Sequence, residues 1–89
     1  MHFSEIQYSE AVAEKLWSKH GVDVLEVEEV IAGEPLVLTG RDDLYYVLGR
    51  TESGRYLFVV LRGLGGGRWR VVTAREMTPA QRRRYQRER

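Results

Sequence analysis

The stretch Arg68-Trp69-Arg70-Val71-Val72-Thr73-Ala74-Arg75-Glu76-Met77-Thr78-Pro79-Ala80-Gln81 sets a strand directly against the start of a helix. Residues 68–76 are rich in β-branched and aromatic side chains, which suit a pleated, half-buried strand. Thr78 then stands at an N-cap position and Pro79 at the first helical position, and Gln81, three after the cap, completes a capping box. The helix that begins there runs through Arg82, Arg83, Arg84 and Tyr85 towards the C-terminus. Strict alternation sends Arg68, Arg70, Val72 and Ala74 to one side of the strand and Trp69, Val71, Thr73 and Arg75 to the other. On that reading Arg68 and Arg70 fall near one end, and Arg75 emerges beside Thr73 near the helix start.

Upstream, the Gly-rich connection Gly63-Leu64-Gly65-Gly66-Gly67 joins this strand to another over Arg55–Arg62. Thr51-Glu52-Ser53-Gly54 has the length and chemistry of a hairpin loop, so Leu44–Arg50 forms the preceding strand. Pro35–Thr39 is a further short apolar run, ending at Gly40 and a turn through Arg41-Asp42-Asp43. The first third is helical instead. Val12 and Leu16 lie four apart within Ser9–His20, and Ala13 and Trp17 repeat that spacing. Gly21 follows at a left-handed cap position, and Asp23 with Glu26 reads as the capping box of a second helix. Val24, Val27, Val30 and Ile31 line that helix before Gly33 and Pro35 stop it. The order predicts an α+β fold: two N-terminal helices, a four-stranded antiparallel sheet and a C-terminal helix, the helices packed on one sheet face. Neither a repeat nor a linker divides residues 1–89.

At 89 residues with 43% hydrophobic and 30% charged side chains, the composition is that of a globular domain. The absence of cysteine excludes disulfides and thiolate metal sites. Residues 1–5 lack a signal-peptide pattern, and no apolar run approaches the ~18 residues needed to span a bilayer, so a cytoplasmic protein is expected. The net charge of +1 hides an asymmetry. Residues 1–61 hold five basic against eleven acidic residues, a balance of −6, whereas residues 62–89 hold nine arginines against two glutamates, a balance of +7. Such polarity suits an anionic partner, RNA first among them, or a solvated surface whose halves neutralise each other on folding.

Several signals of catalysis are missing. His2 and His20 do not make a metal site, and the glycines at 63–67 lack the Lys-Ser/Thr ending of a phosphate loop. Neither a metal nor a cofactor is expected. What remains is a set of arginines on or beside a sheet, one histidine, and hydroxyl groups. RNA cleavage by the neighbouring 2′-hydroxyl needs little more: a base for that hydroxyl, cationic donors for the phosphorane, and an acid for the leaving 5′-oxygen. Arg70 and Arg75 can stabilise the phosphorane, and His20 carries an imidazole, the side chain suited to moving the proton as base or acid. Each has a plainer reading. His20 can cap helix carbonyls, Arg70 and Arg75 can pair with the acidic second helix, Tyr85 can pack on the sheet, and Arg82–Arg84 can be a solvated face. Trp17 and Trp69 read as core or interface anchors.

Three stretches resemble the BrnT toxin family, small partners in bacterial toxin–antitoxin pairs. Lys19-His20-Gly21-Val22 matches its Lys-His-Gly-Val signature, and Gly49-Arg50-Thr51 through Gly54-Arg55-Tyr56-Leu57-Phe58-Val59-Val60 matches its central hairpin. Arg70-Val71-Val72-Thr73-Ala74-Arg75 followed by Arg82-Arg83-Arg84-Tyr85 matches its closing pattern, and the order holds over residues 6 to 86. The resemblance implies a RelE-like fold, metal-independent RNA cleavage that inhibits translation, and a hetero-oligomer with a BrnA-like ribbon-helix-helix antitoxin. It implies catalytic roles for His20, Arg70, Thr73, Arg75 and Tyr85, and with the basic surface it implies RNA contacts from Lys19, Arg55, Arg68, Arg82 and Arg83. Thr73 keeps the hydroxyl of the family's usual serine. Val12 and Leu16 stand where the family usually carries lysine and asparagine, and Gln81 where it favours glutamate. The alternative is a non-catalytic protein of the same fold that binds RNA or the antitoxin and serves as corepressor.

Overall fold

The computed structural model describes residues 5–88; His2 and Arg89 lie outside them. Its elements are β1 (Glu5–Gln7), α1 (Glu10–His20), α2 (Val24–Ala32), β2 (Leu36–Thr39), β3 (Leu44–Arg50), β4 (Tyr56–Gly65), β5 (Arg68–Glu76) and α3 (Pro79–Glu88). The strands form one sheet in the order β1-β5-β4-β3-β2. β2 to β5 pair antiparallel in sequence, as the meander predicts. The first strand corrects the expected four-stranded antiparallel sheet to a five-stranded mixed one. It runs parallel to β5, with Glu5 beside Arg68, Ile6 beside Trp69 and Gln7 beside Arg70. Three residues with one apolar side chain carry no readable period, so the neighbouring strand, not local propensity, defines this element.

The helix ends follow their capping chemistry. Ser9 accepts the Val12 amide at the start of α1, and Gly21 ends it at φ 62° while its N–H reaches the Leu16 and Trp17 carbonyls. Asp23 and Glu26 bond reciprocally at the start of α2. Thr78 and Gln81 do the same for α3: the Gln81 amide donates to Thr78 Oγ1 at 3.2 Å and the Thr78 amide to Gln81 Oε1 at 3.0 Å. Each reciprocal pair satisfies two backbone donors that would otherwise be stranded.

One core lies between α1, α2 and the sheet. Leu16, Val22, Val27 and Val30 pack there on Val47, Leu57, Val59, Leu61, Trp69, Val71 and Ala74. Leu16 is wholly buried and Val12 packs against the same cluster, so the two positions that depart from the family pattern serve the core here. Removing the Leu16 side chain to alanine is expected to cost ~2–5 kcal/mol. The third helix corrects the expectation that all helices share a sheet face. Tyr85 of α3 is buried edge-on against Tyr56, which projects from the opposite side of β4 to Leu57 and Val59. The sheet is thus sandwiched, fully covered on one side and partly on the other. Among the described residues no helix is long and apolar enough to cross a membrane.

Candidate nucleic-acid interface

An irregularity in β5 sets the geometry of the side that α3 leaves partly open. Val60 pairs with Thr73 but Leu61 pairs with Val71, so Val72 is an extra residue with no partner in β4. Such a bulge breaks the two-residue period. Ala74 and Val71 therefore both face the core although three positions apart, and Val72 is displaced to the surface, 37% exposed. The consequence corrects the strict alternation expected from sequence. Arg70, opposite Arg62 on β4, now shares a face with Thr73 and Arg75 instead of opposing them. Three of the residues singled out for phosphate chemistry are thereby gathered on one surface.

Aromatic side chains from β3 and β4 floor that surface. The Arg75 guanidinium lies 4.5 Å from the Phe58 ring centroid, and Tyr46 stacks on the same ring at 5.7 Å with an interplanar angle of 18°. Arg75 Nη1 also donates to the Glu76 carbonyl at 2.9 Å and to Gln81 Oε1 at 3.1 Å. The glutamine that caps α3 therefore also aims Arg75. Because it is neutral where the family favours glutamate, it orients the guanidinium without cancelling its charge. Thr73 is half-buried beside Val60, and Arg70 is exposed in a shallow cleft with Gln7, Tyr8 and Ser9.

A second aromatic, Tyr56, sits two residues along β4. Arg82 lies 3.9 Å and Arg50 4.7 Å from its ring centroid, and Gln86 Nε2 donates to its hydroxyl at 3.3 Å. The Gln86 hydrogen bond first, then the charges of Arg50 and Arg82, hold the Tyr56 phenol below its ordinary pKa, with desolvation opposing them. Arg50, Tyr56, Phe58, Tyr46 and Gln81 were not among the sequence candidates. Pairing across the Thr51–Gly54 hairpin was the signal available, since it puts Arg50 opposite Tyr56.

Other candidates are placed elsewhere. Arg55 is engaged by groups of its own chain: it contacts Glu26 at 2.8 Å and Glu76 at 2.9 Å, and donates to the Gly21 carbonyl at 3.0 Å. The hydrogen bond to Glu76 does most to raise its pKa, followed by that to Glu26, with burial acting against both. Arg55 thus clamps the end of α1, the start of α2 and the end of β5, and its guanidinium is committed to these partners. Tyr85, 3% exposed, has its ring in the packing under α3 and is not presented to a substrate. Lys19 and His20 lie in the last turn of α1, in the layer across the sheet from α3. Arg68 donates to the Gly65 carbonyl at 3.3 Å at the far end of β5, and Arg83 is exposed on α3. Trp69 joins the core, whereas Trp17 is 65% exposed.

No protein-family model matches the chain, and no curated protein matches it in sequence. Its shape does have a counterpart. The crystal structure of the ribonuclease toxin BrnT from Brucella abortus aligns with a TM-score of 0.70, covering 83% of this chain and 96% of that one at 18% identity. The chain has the BrnT fold. At this identity the likeness is one of backbone architecture, and the meander, helix order and C-terminal helix read from sequence fit that frame. The bulged strand and its arginines are features of this chain's own residues on the BrnT fold.

Proposed function

We infer that this chain is a metal-independent endoribonuclease, a toxin of the type II class that inhibits translation by cutting RNA. The observation that carries the reading is the bulge at Val72, which puts Arg70, Thr73 and Arg75 on one open face floored by aromatic rings. In that arrangement Arg75, held by Gln81 and Phe58, is the donor best placed to stabilise the phosphorane formed when a 2′-oxygen attacks the adjacent phosphorus. Arg70 binds a flanking phosphate, and the Thr73 hydroxyl hydrogen-bonds a non-bridging oxygen. Cleavage then leaves a 2′,3′-cyclic phosphate and a free 5′-hydroxyl. Residues 1–89 act as one toxin domain in the cytoplasm, neutralised in a hetero-oligomer by a BrnA-like ribbon-helix-helix antitoxin. The ribonuclease activity named for the Brucella protein of this fold supports the reading.

A second reading is favoured by the placement of the proton-transfer candidates. With His20 in the opposite layer and Tyr85 buried, the arginine face resembles a binding surface, as in a corepressor that grips RNA or antitoxin without cutting. One experiment separates the two. Purified chain is incubated with single-stranded RNA in excess chelator, and the product ends are analysed beside Arg75→Ala. The nuclease reading expects 5′-hydroxyl and cyclic-phosphate ends, with the rate falling ~100-fold in the variant. Binding without cleavage transfers the assignment to the second reading.

A further inference from the structure

We propose that Arg50 and Arg82, held on the ring of Tyr56, form a second phosphate-binding subsite for a single RNA strand that also crosses Arg75. The inference rests on the reading of the open face as an RNA surface and extends it along β4. Two guanidinium groups within 4.7 Å of one ring centroid are a local concentration of like charge. Stacking on the ring offsets part of their repulsion, but cation–π contacts at exposed sites are worth only ~0.5–1 kcal/mol each. Among the described residues the ion pairs engage Arg55 and Arg84, so neither Arg50 nor Arg82 is matched to a carboxylate there. Glu76, in the cleft beside Arg82, is already bonded to Arg55.

The local chain leaves room for this placement. Gly54, at φ 96°, lies under Arg50: a Cβ there would come within 3.1 Å of Arg50 Nη2. Stacking fixes the plane of a guanidinium and leaves its edge donors available, the geometry that grips a phosphate bidentately. Spacing supplies the link to the neighbouring site. Tyr56 and Phe58 project from the same face two residues apart, about 7 Å along the strand. The Arg50–Arg82 pair and Arg75 therefore stand at a separation that neighbouring phosphates of an extended strand can match, each over its own aromatic ring. A strand held at both points would cross the face rather than touch it once.

The test is a titration of a fluorescent single-stranded RNA by anisotropy at several salt concentrations. It uses wild type, Arg50→Ala, Arg82→Ala, the double variant and Arg70→Ala, with thermal melts confirming folding. Each lost phosphate contact should lower the slope of log K against log salt by about 0.7. The double variant should therefore lose about 1.4 in slope and more than about tenfold in affinity near physiological salt. A double variant with unchanged slope and affinity, while Arg70→Ala weakens binding, would overturn this subsite and leave the open-face reading intact. Wild type that binds no RNA would overturn both. If the double variant binds RNA normally but no longer binds a poly-glutamate peptide, the pair serves an acidic protein partner and the RNA subsite is wrong.

Discussion

Beneath α1 and α2 the sheet presents Val47, Leu57, Val59, Leu61, Trp69, Val71 and Ala74, all buried in one cluster. From the other side of the same strands come Arg50, Tyr56, Phe58, Arg62, Arg70, Thr73 and Arg75, with α3 covering only part of the area. The strands are shared, so alternation alone divides their side chains between cohesion and recognition. On the covered face aliphatic burial provides ~25 cal/mol per Å² of apolar area and tolerates no charge. On the open face arginines lie flat on aromatic rings and keep their donors in water. A residue's contribution is thus set by its face more than by its type, and Arg55 illustrates it. One guanidinium on β4's approach is consumed by Glu26 and Glu76, whereas those of Arg75 and Arg82 rest on rings.

The sharpest way to break this comparison lies at the bulge. Val71→Lys would bury an ammonium in the core and should cost more than ~3 kcal/mol, whereas Val72→Lys next to it should stay within ~0.5 kcal/mol. Chemical denaturation of both variants decides, and equal losses would mean that Val72 is not the extra residue. A smaller effect is expected at Arg55. Arg55→Ala leaves the Glu26 carboxylate half-buried and should destabilise by about 1–2 kcal/mol while leaving RNA affinity unchanged. Loss of RNA affinity without loss of stability would return Arg55 to the open-face set. The smallest effect is spectroscopic. Tyrosinate absorbance against pH should reveal one phenol ionising early, and Arg82→Ala should move that titration up. The folded pKa of Tyr56 is depressed, so its linked stabilisation is present above the unfolded phenol pKa and is lost as pH falls through the folded value. Absence of an early titration would place Arg50 and Arg82 away from the ring in solution.

Where residues signal their neighbours locally, the sequence was readable. The caps at Asp23 and Thr78, the cap glycine at 21 and the Thr51–Gly54 loop each combine a few adjacent residues whose chemistry has one good geometry. β5 was bounded correctly at Arg68–Glu76 for the same reason. The parallel strand Glu5–Gln7 was not readable, because its hydrogen bonds lie with residues more than sixty positions away. Nor was the bulge. Val71 and Val72 are identical side chains, and only the register with β4 decides which one turns outward. That decision reversed the facing of Arg70 relative to Thr73 and Arg75, so the composition of the candidate site was legible while its geometry was not. Matching a pattern also says nothing of exposure: Tyr85 lies buried under α3 and Arg55 between two carboxylates, neither of which is legible in the sequence.

The short reach of β1 leaves a margin with its own hazard. It covers β5 only alongside Arg68–Arg70, so from Val71 onward that border of the sheet lacks a neighbouring strand among the described residues. Bare borders invite another chain to add itself on, and at high concentration this leads to precipitation. The inserted valine twists the backbone just where the cover stops, spoiling the flat ladder an intruding strand would need. Deleting one valine of the Val71-Val72 pair would straighten the strand without exchanging its faces, and the straightened protein should stay folded yet become markedly less soluble.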